Sequence, residues 1–135
     1  MTTPSQDPPP KRLTDLRNEL LRLHTVLLKS ERARYERDIQ KIRTSGEFLA
    51  LVLNDPAFAW LRVISQLIVL IDETLEAEEP PSPAEATRLV RRARELLSLV
   101  DTNGAFERPY LEALQRDPDV ILAHAAALDL VRSLE

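Results

Sequence analysis

The chain has no cysteine, only two glycines, two histidines and six aromatic residues among its 135 positions. Without cysteine there is no disulfide framework, zinc-thiolate site, iron–sulfur cluster or thiol nucleophile. Two glycines leave little material for tight β-turns, and no glycine-rich loop is present to cradle a phosphate. Two histidines are fewer than most catalytic or metal constellations use. A cationic excess is also missing: 18 basic against 22 acidic residues give a net charge of −4, opposite to the footprint of a nucleic-acid partner. Long hydrophobic runs are absent as well. The most apolar stretch, Ala57 to Ile71, is broken by Arg62, Ser65 and Gln66 and falls short of the roughly 20 residues that cross a bilayer, so it reads as a buried core helix. The opening MTTPSQDPPPK has no apolar segment of the secretory kind, and the expectation is a cytoplasmic protein with no membrane partner. Fifteen arginines against three lysines suggest the codon usage of a GC-rich bacterial genome.

What remains is 44% hydrophobic and 30% charged, the composition of one globular domain. No segment alternates apolar and polar residues as a strand does, and three- and four-residue spacing dominates. Residues 1–11 read as a flexible proline-rich tail and residues 12–135 as a single helical domain. Leu13, Leu16, Leu20, Leu23, Leu27, Tyr35, Ile39 and Ile42 predict a long first helix over 13–42. Thr44 with Glu47 has capping-box spacing and starts a short helix over 46–53. Asp55-Pro56 pairs an N-cap acceptor with proline at N1 and predicts a helix over 56–77. Ser82-Pro83-Ala84-Glu85 does the same for 83–101, which Gly104 closes in a left-handed C′ position. Pro109 allows a short helix to about 116, and Asp117-Pro118 starts the last, over 118–134. The expected fold is therefore all-α: a bundle of four long helices with two short helices in the connections. Phe48-Leu49 before Asn54-Asp55-Pro56, and Tyr110-Leu111 before Arg116-Asp117-Pro118, form an echo that duplication and repeated use of Asp-Pro explain equally well.

Three sets of residues are candidates for function. His24, Glu31 and Tyr35 fall on one face of the first helix, a candidate ligand, proton-handling or interaction strip, with Asp72, Glu76 and His124 as helpers for a metal. The same strip also reads as an ordinary core edge. Glu-x-x-His is absent before both His24 and His124, which argues against a di-iron site, and no haem attachment motif exists, so no cofactor is expected. Arg88, Arg91 and Arg92 form a candidate anion patch, and Arg32, Arg34 and Arg37 a second arginine cluster. No aromatics interleave with them, and Arg32–Glu36 and Arg34–Asp38 have the spacing of a salt-bridged solvated face, which makes nucleic acid an unfavoured partner. The stretch Ser30 to Asp38 offers only a narrow apolar seam and is expected to project or to dock on a second copy.

Leu23-His24-Thr25-Val26-Leu27-Leu28-Lys29-Ser30-Glu31-Arg32-Ala33-Arg34-Tyr35-Glu36, with Asn54-Asp55-Pro56-Ala57-Phe58-Ala59-Trp60-Leu61-Arg62 and Ile71-Asp72-Glu73, resembles a family of small, largely uncharacterised bacterial helical proteins. The resemblance covers residues 20–75, implies an all-helical fold and carries no activity, cofactor or site. The expected function is non-enzymatic: association with a protein partner or with a second copy. The alternative is a small-ligand or metal-binding bundle that uses His24, Glu31 and Tyr35. A third reading is a regulator that touches nucleic acid through its arginines.

Overall fold

The computed structural model describes residues 7–135, and residues 1–6 of the expected tail lie outside them. Six α-helices follow one another: α1 (Pro9–Asp38), α2 (Ser45–Asn54), α3 (Arg62–Glu76), α4 (Pro83–Leu97), α5 (Glu107–Arg116) and α6 (Pro118–Leu134), with a 3-10 segment, Pro56–Leu61, between α2 and α3. No strand occurs among the described residues, and the protein is all-α.

The caps explain most of the boundaries. Thr44 Oγ1 accepts from Glu47 N at 3.1 Å, and Glu47 in turn accepts from Arg43 N at 2.9 Å. Ser82 Oγ accepts from Glu85 N at 3.1 Å, Asp55 from Ala57 N at 2.9 Å and Asp117 from Asp119 N at 3.0 Å. Each side chain satisfies a backbone donor that the helix leaves open, and three of the four starts place proline where no such donor is needed.

Four boundaries differ from expectation. Helix α1 begins at Pro9 rather than 13, because a proline at N1 starts a helix as well as an apolar residue does, and Pro9 to Lys11 belong to the domain rather than to a tail. It stops at Asp38, where both Ile39 N and Gln40 N turn back to Tyr35 O. This release swings Ile42 into the core and leaves Ile39 57% exposed. The expected helix over 56–77 is split, its first turn being 3-10. In that geometry residues three apart eclipse, which stacks Phe58 and Leu61 on one buried face before α3 takes over. Helix α4 ends at Leu97, and the left-handed residue after it is Leu99, at φ 49°; Gly104 has no positive φ and sits in the turn closed by Gly104 N to Asp101 O.

Helix α1 is the hub of the fold. At 30 residues it is about 45 Å long. It packs against the 3-10 segment, α3, α4, α5 and α6, while α4 and α5 also pack on α6, and α2 packs chiefly on the 3-10 segment. Leu13, Leu16, Leu20, Leu23 and Leu27 are fully buried along it and meet Ile64 and Ile71 of α3, Val90 of α4 and Val131 of α6 in one core. Trp60, Phe58 and Leu67 are buried there too, as the sequence predicts. The echo persists in three dimensions: α2 and α5 are both ten residues long and displaced by 62 positions, and each ends on an aspartate that caps the next element. Their surroundings differ, because α5 buries Tyr110 and Ala113 whereas α2 buries none of its residues.

Candidate functional site

Part of the second half of α1, expected to project or to dock on a second copy, is covered by its own chain. Ser30, Glu31 and Tyr35 are buried, and the 3-10 segment and α5 lie over them. The apolar seam is narrow in the sequence because its partners are polar. Glu31, 3% exposed, is held by two arginines. One carboxylate oxygen accepts from Arg34 Nε and Nη2, at 2.9 and 2.8 Å, and the other accepts from Arg116 Nη2 at 3.0 Å; Arg116 Nε donates to Ser30 Oγ at 3.1 Å. Arg116 comes from the last turn of α5, so this clamp ties two helices far apart in sequence. Charge-assisted hydrogen bonds of this kind offset the desolvation of a carboxylate that would otherwise not be buried.

The clamp borders a cleft of about 560 Å³, whose lining includes Glu31 and Arg34 from α1, Ala57 and Trp60 from the 3-10 segment, and Phe106 and Glu112 around α5. Trp60, Phe106 and Tyr110 form an aromatic cluster behind it, with ring centroids 5.5 to 6.3 Å apart. The indole N–H of Trp60 is buried and has no hydrogen-bond partner among the described residues.

The predicted strip does not act as a unit. Tyr35 packs its ring against Phe58 at 5.7 Å, in the core. Glu31 faces the arginines. His24 is half-buried, and burial alone pushes its pKa below the usual histidine value. Two of the proposed helpers are committed elsewhere, Asp72 in an ion pair with Arg17 and His124 with Nδ1 2.7 Å from the Tyr110 hydroxyl, while Glu76 is exposed on α3. Burial raises the Tyr110 pKa, so the phenol keeps its proton in this hydrogen bond with His124. No group of three acidic or histidine side chains suited to a metal ion occurs among the described residues. Both pairs expected from their spacing are present, Arg34 with Asp38 at 3.7 Å and Arg32 with Glu36 at 3.0 Å; Arg34 also reaches inward to the buried Glu31, and Arg32 stacks over the Phe48 ring. Arg88, Arg91 and Arg92 are exposed on α4, and no ion pair of theirs occurs among the described residues.

Two features are invisible in the sequence. Arg116 lies 85 residues from Glu31, and nothing local marks it as a partner. The other is α2, a strongly apolar helix whose Leu49 and Leu53 are 58% and 59% exposed. No single helix among the described residues is long and apolar enough to cross a membrane. Comparisons with protein-family models, with curated proteins and with solved structures returned no match, so the roles of these residues rest on their geometry alone.

Proposed function

We propose that this protein acts by self-association, with the outer face of α2 as the contact, and that it is a binding protein rather than an enzyme. In this reading α1, α3, α4 and α6 are the bundle that presents α2. The observation that carries it is a pattern on an exposed surface. Gly46 and Ala50 form one i, i+4 row and Leu49 and Leu53 the adjacent one, all four exposed. About a two-fold axis between residues 49 and 50, Leu53 of one copy falls over Gly46 of the other, and Leu49 over Ala50. Large side chains then meet small ones, the self-complementarity an isologous contact requires.

The glycine supports the same reading. Its φ is not positive, and an added Cβ would meet only Thr44 Oγ1, at 3.9 Å, so nothing within the chain requires glycine there. Gly46 stands in the first turn of α2, where glycine still loses more backbone entropy than alanine, and close approach of a second backbone would offset that loss. A ten-residue helix is only about 15 Å long, smaller than a standard interface, so the dissociation constant falls on the order of 10–100 μM. Sedimentation velocity from 5 μM to 1 mM tests it. The wild type passes from monomer to dimer with concentration, and Leu49→Gln/Leu53→Gln stays monomeric with its far-ultraviolet circular dichroism unchanged. A wild type monomeric throughout, or a dimer untouched by the double substitution, refutes the proposal.

A further inference from the structure

The connection from α4 to α5, residues 98–106, carries the chain's only Asn-Gly pair, Asn103-Gly104, and its chemistry does not depend on the α2 contact. The segment is lightly held. Val100, Asp101, Thr102 and Asn103 are exposed in succession, and the chain enters them through Leu99 in the left-handed conformation that favours glycine. Asp101 closes the turn: its carbonyl accepts from Gly104 N at 3.0 Å and its carboxylate from Asn103 N at 3.2 Å. Exposed backbone bonds with few buried contacts around them open locally more readily than those of a core helix.

The side-chain amide of Asn103 makes no hydrogen bond among the described residues, and Gly104 has no side chain to obstruct the approach of its nitrogen to that amide. When the turn opens, Gly104 N loses its proton and attacks Cγ of Asn103. The bond from Cγ to the amide nitrogen breaks, and that nitrogen leaves with the proton as ammonia. A cyclic succinimide remains, and water opens it at either carbonyl. Opening at Cγ gives aspartate; opening at the main-chain carbonyl gives isoaspartate, whose backbone runs through Cγ with one extra carbon. That carbon falls inside the ring closed by Gly104 N and Asp101 O, while Gly104 O accepts from Arg108 N, at 3.0 Å, in the first turn of α5. Phe106, two residues on, is buried with its ring 6.3 Å from that of Trp60, so a displaced turn reaches the aromatic cluster.

We infer that Asn103 is a site of spontaneous deamidation, that the population of the open turn sets its rate, and that the isoaspartate product loosens the start of α5. Prolonged incubation of the full chain in warm, mildly alkaline buffer tests it, read by peptide mapping with mass spectrometry, enzymatic methylation of isoaspartate, and the emission of Trp60, the chain's only tryptophan. The mass gain of deamidation should collect at Asn103 at least tenfold faster than at Asn18 of α1 or Asn54 of α2, the other two asparagines. Its rate should rise about tenfold per pH unit, because the attacking nitrogen must lose a proton. Asp101→Ala, which deletes one of the two closing bonds, should deamidate at least threefold faster. Aged protein rich in isoaspartate should melt lower and shift in Trp60 emission, whereas Asn103→Asp, with the charge but not the extra carbon, should match fresh wild type. No mass gain at Asn103, equal rates at the three asparagines, a rate unchanged by Asp101→Ala, or aged protein indistinguishable from Asn103→Asp each overturns the inference.

Discussion

Replacing Glu31 by alanine removes the one carboxylate between two arginines and leaves their guanidiniums facing each other. Both side chains are partly buried, 25% exposed for Arg34 and 19% for Arg116, so removal of the carboxylate leaves each only partly hydrated. Breaking a buried ion pair by deleting one partner typically costs about 3–5 kcal/mol. Here the lower end applies, because each arginine retains a path to solvent, and a loss of about 3 kcal/mol is expected. At about 3 °C per kcal/mol for a chain of this size, the melting temperature should fall by about 10 °C. Chemical denaturation of Glu31→Ala, Arg116→Ala and the double variant separates the clamp from simple loss of packing. With the carboxylate gone Arg116 has little left to bind, so the double variant should be less destabilised than the sum of the singles by about 1–2 kcal/mol. A loss below about 1 kcal/mol for Glu31→Ala, or strict additivity, would show that the clamp does not hold α5 to α1.

Trp60→Ala should lose about 3–5 kcal/mol in the same assay, since the indole is 6% exposed and packed between Phe106 and Tyr110; a loss under about 1 kcal/mol contradicts its place in the core. Asp55→Ala and Ser82→Ala should each lose about 1 kcal/mol, with faster amide exchange in the first turn of the segment each one caps; unchanged exchange refutes the caps. Burial lowers the pKa of His24 and of His124 in the folded state, while in the unfolded chain both titrate near 6.5. The unfolded state therefore takes up protons first, and stability that is full above about pH 6.5 should decline as the pH falls through the lower folded values. His24→Gln/His124→Gln should flatten the melting-temperature profile between pH 7 and 5, and a slope that survives the double substitution assigns the effect to other groups.

The features legible in the sequence are those decided within a few residues. Thr44, Asp55, Ser82 and Asp117 cap because their oxygens reach donors two or three positions on, and the three- and four-residue spacing of Leu13 to Leu27 marks a face that must be covered. Features that depend on the rest of the chain are not legible. The spacing of Ile39 and Ile42 continues that of α1, yet the helix stops before them, because Ile42 reaches the core from an irregular segment. The split of 56–77 comes from burying Phe58, Trp60 and Leu61 together, a demand set by Tyr35 and Tyr110 rather than by Pro56. Of the candidate strip, the sequence marks Glu31 as able to do chemistry, but its partner on α5 is invisible there, and His24 and Tyr35 share its face without sharing its contacts. The α2 surface is hidden for a different reason. A short apolar helix in a connection reads as packed, and only its position shows that Leu49 and Leu53 are left outside.

The two-fold pairing of α2 can be tested by disulfide trapping, because the chain has no cysteine and a single introduced thiol reports on one contact alone. Ala50→Cys places that thiol beside the proposed axis, within the reach a disulfide needs if the helices approach over Gly46 and Ala50. Arg91→Cys places an equally exposed thiol on the outer face of α4, away from it. Under mild oxidation at 100 μM protein, a concentration on the order of the expected dissociation constant, Ala50→Cys should convert to a covalent dimer within minutes. Adding Leu53→Gln should slow the conversion at least tenfold, and Arg91→Cys should remain monomeric over the same interval. Equal rates for the two single variants, or a rate for Ala50→Cys that Leu53→Gln leaves unchanged, would contradict self-association through α2.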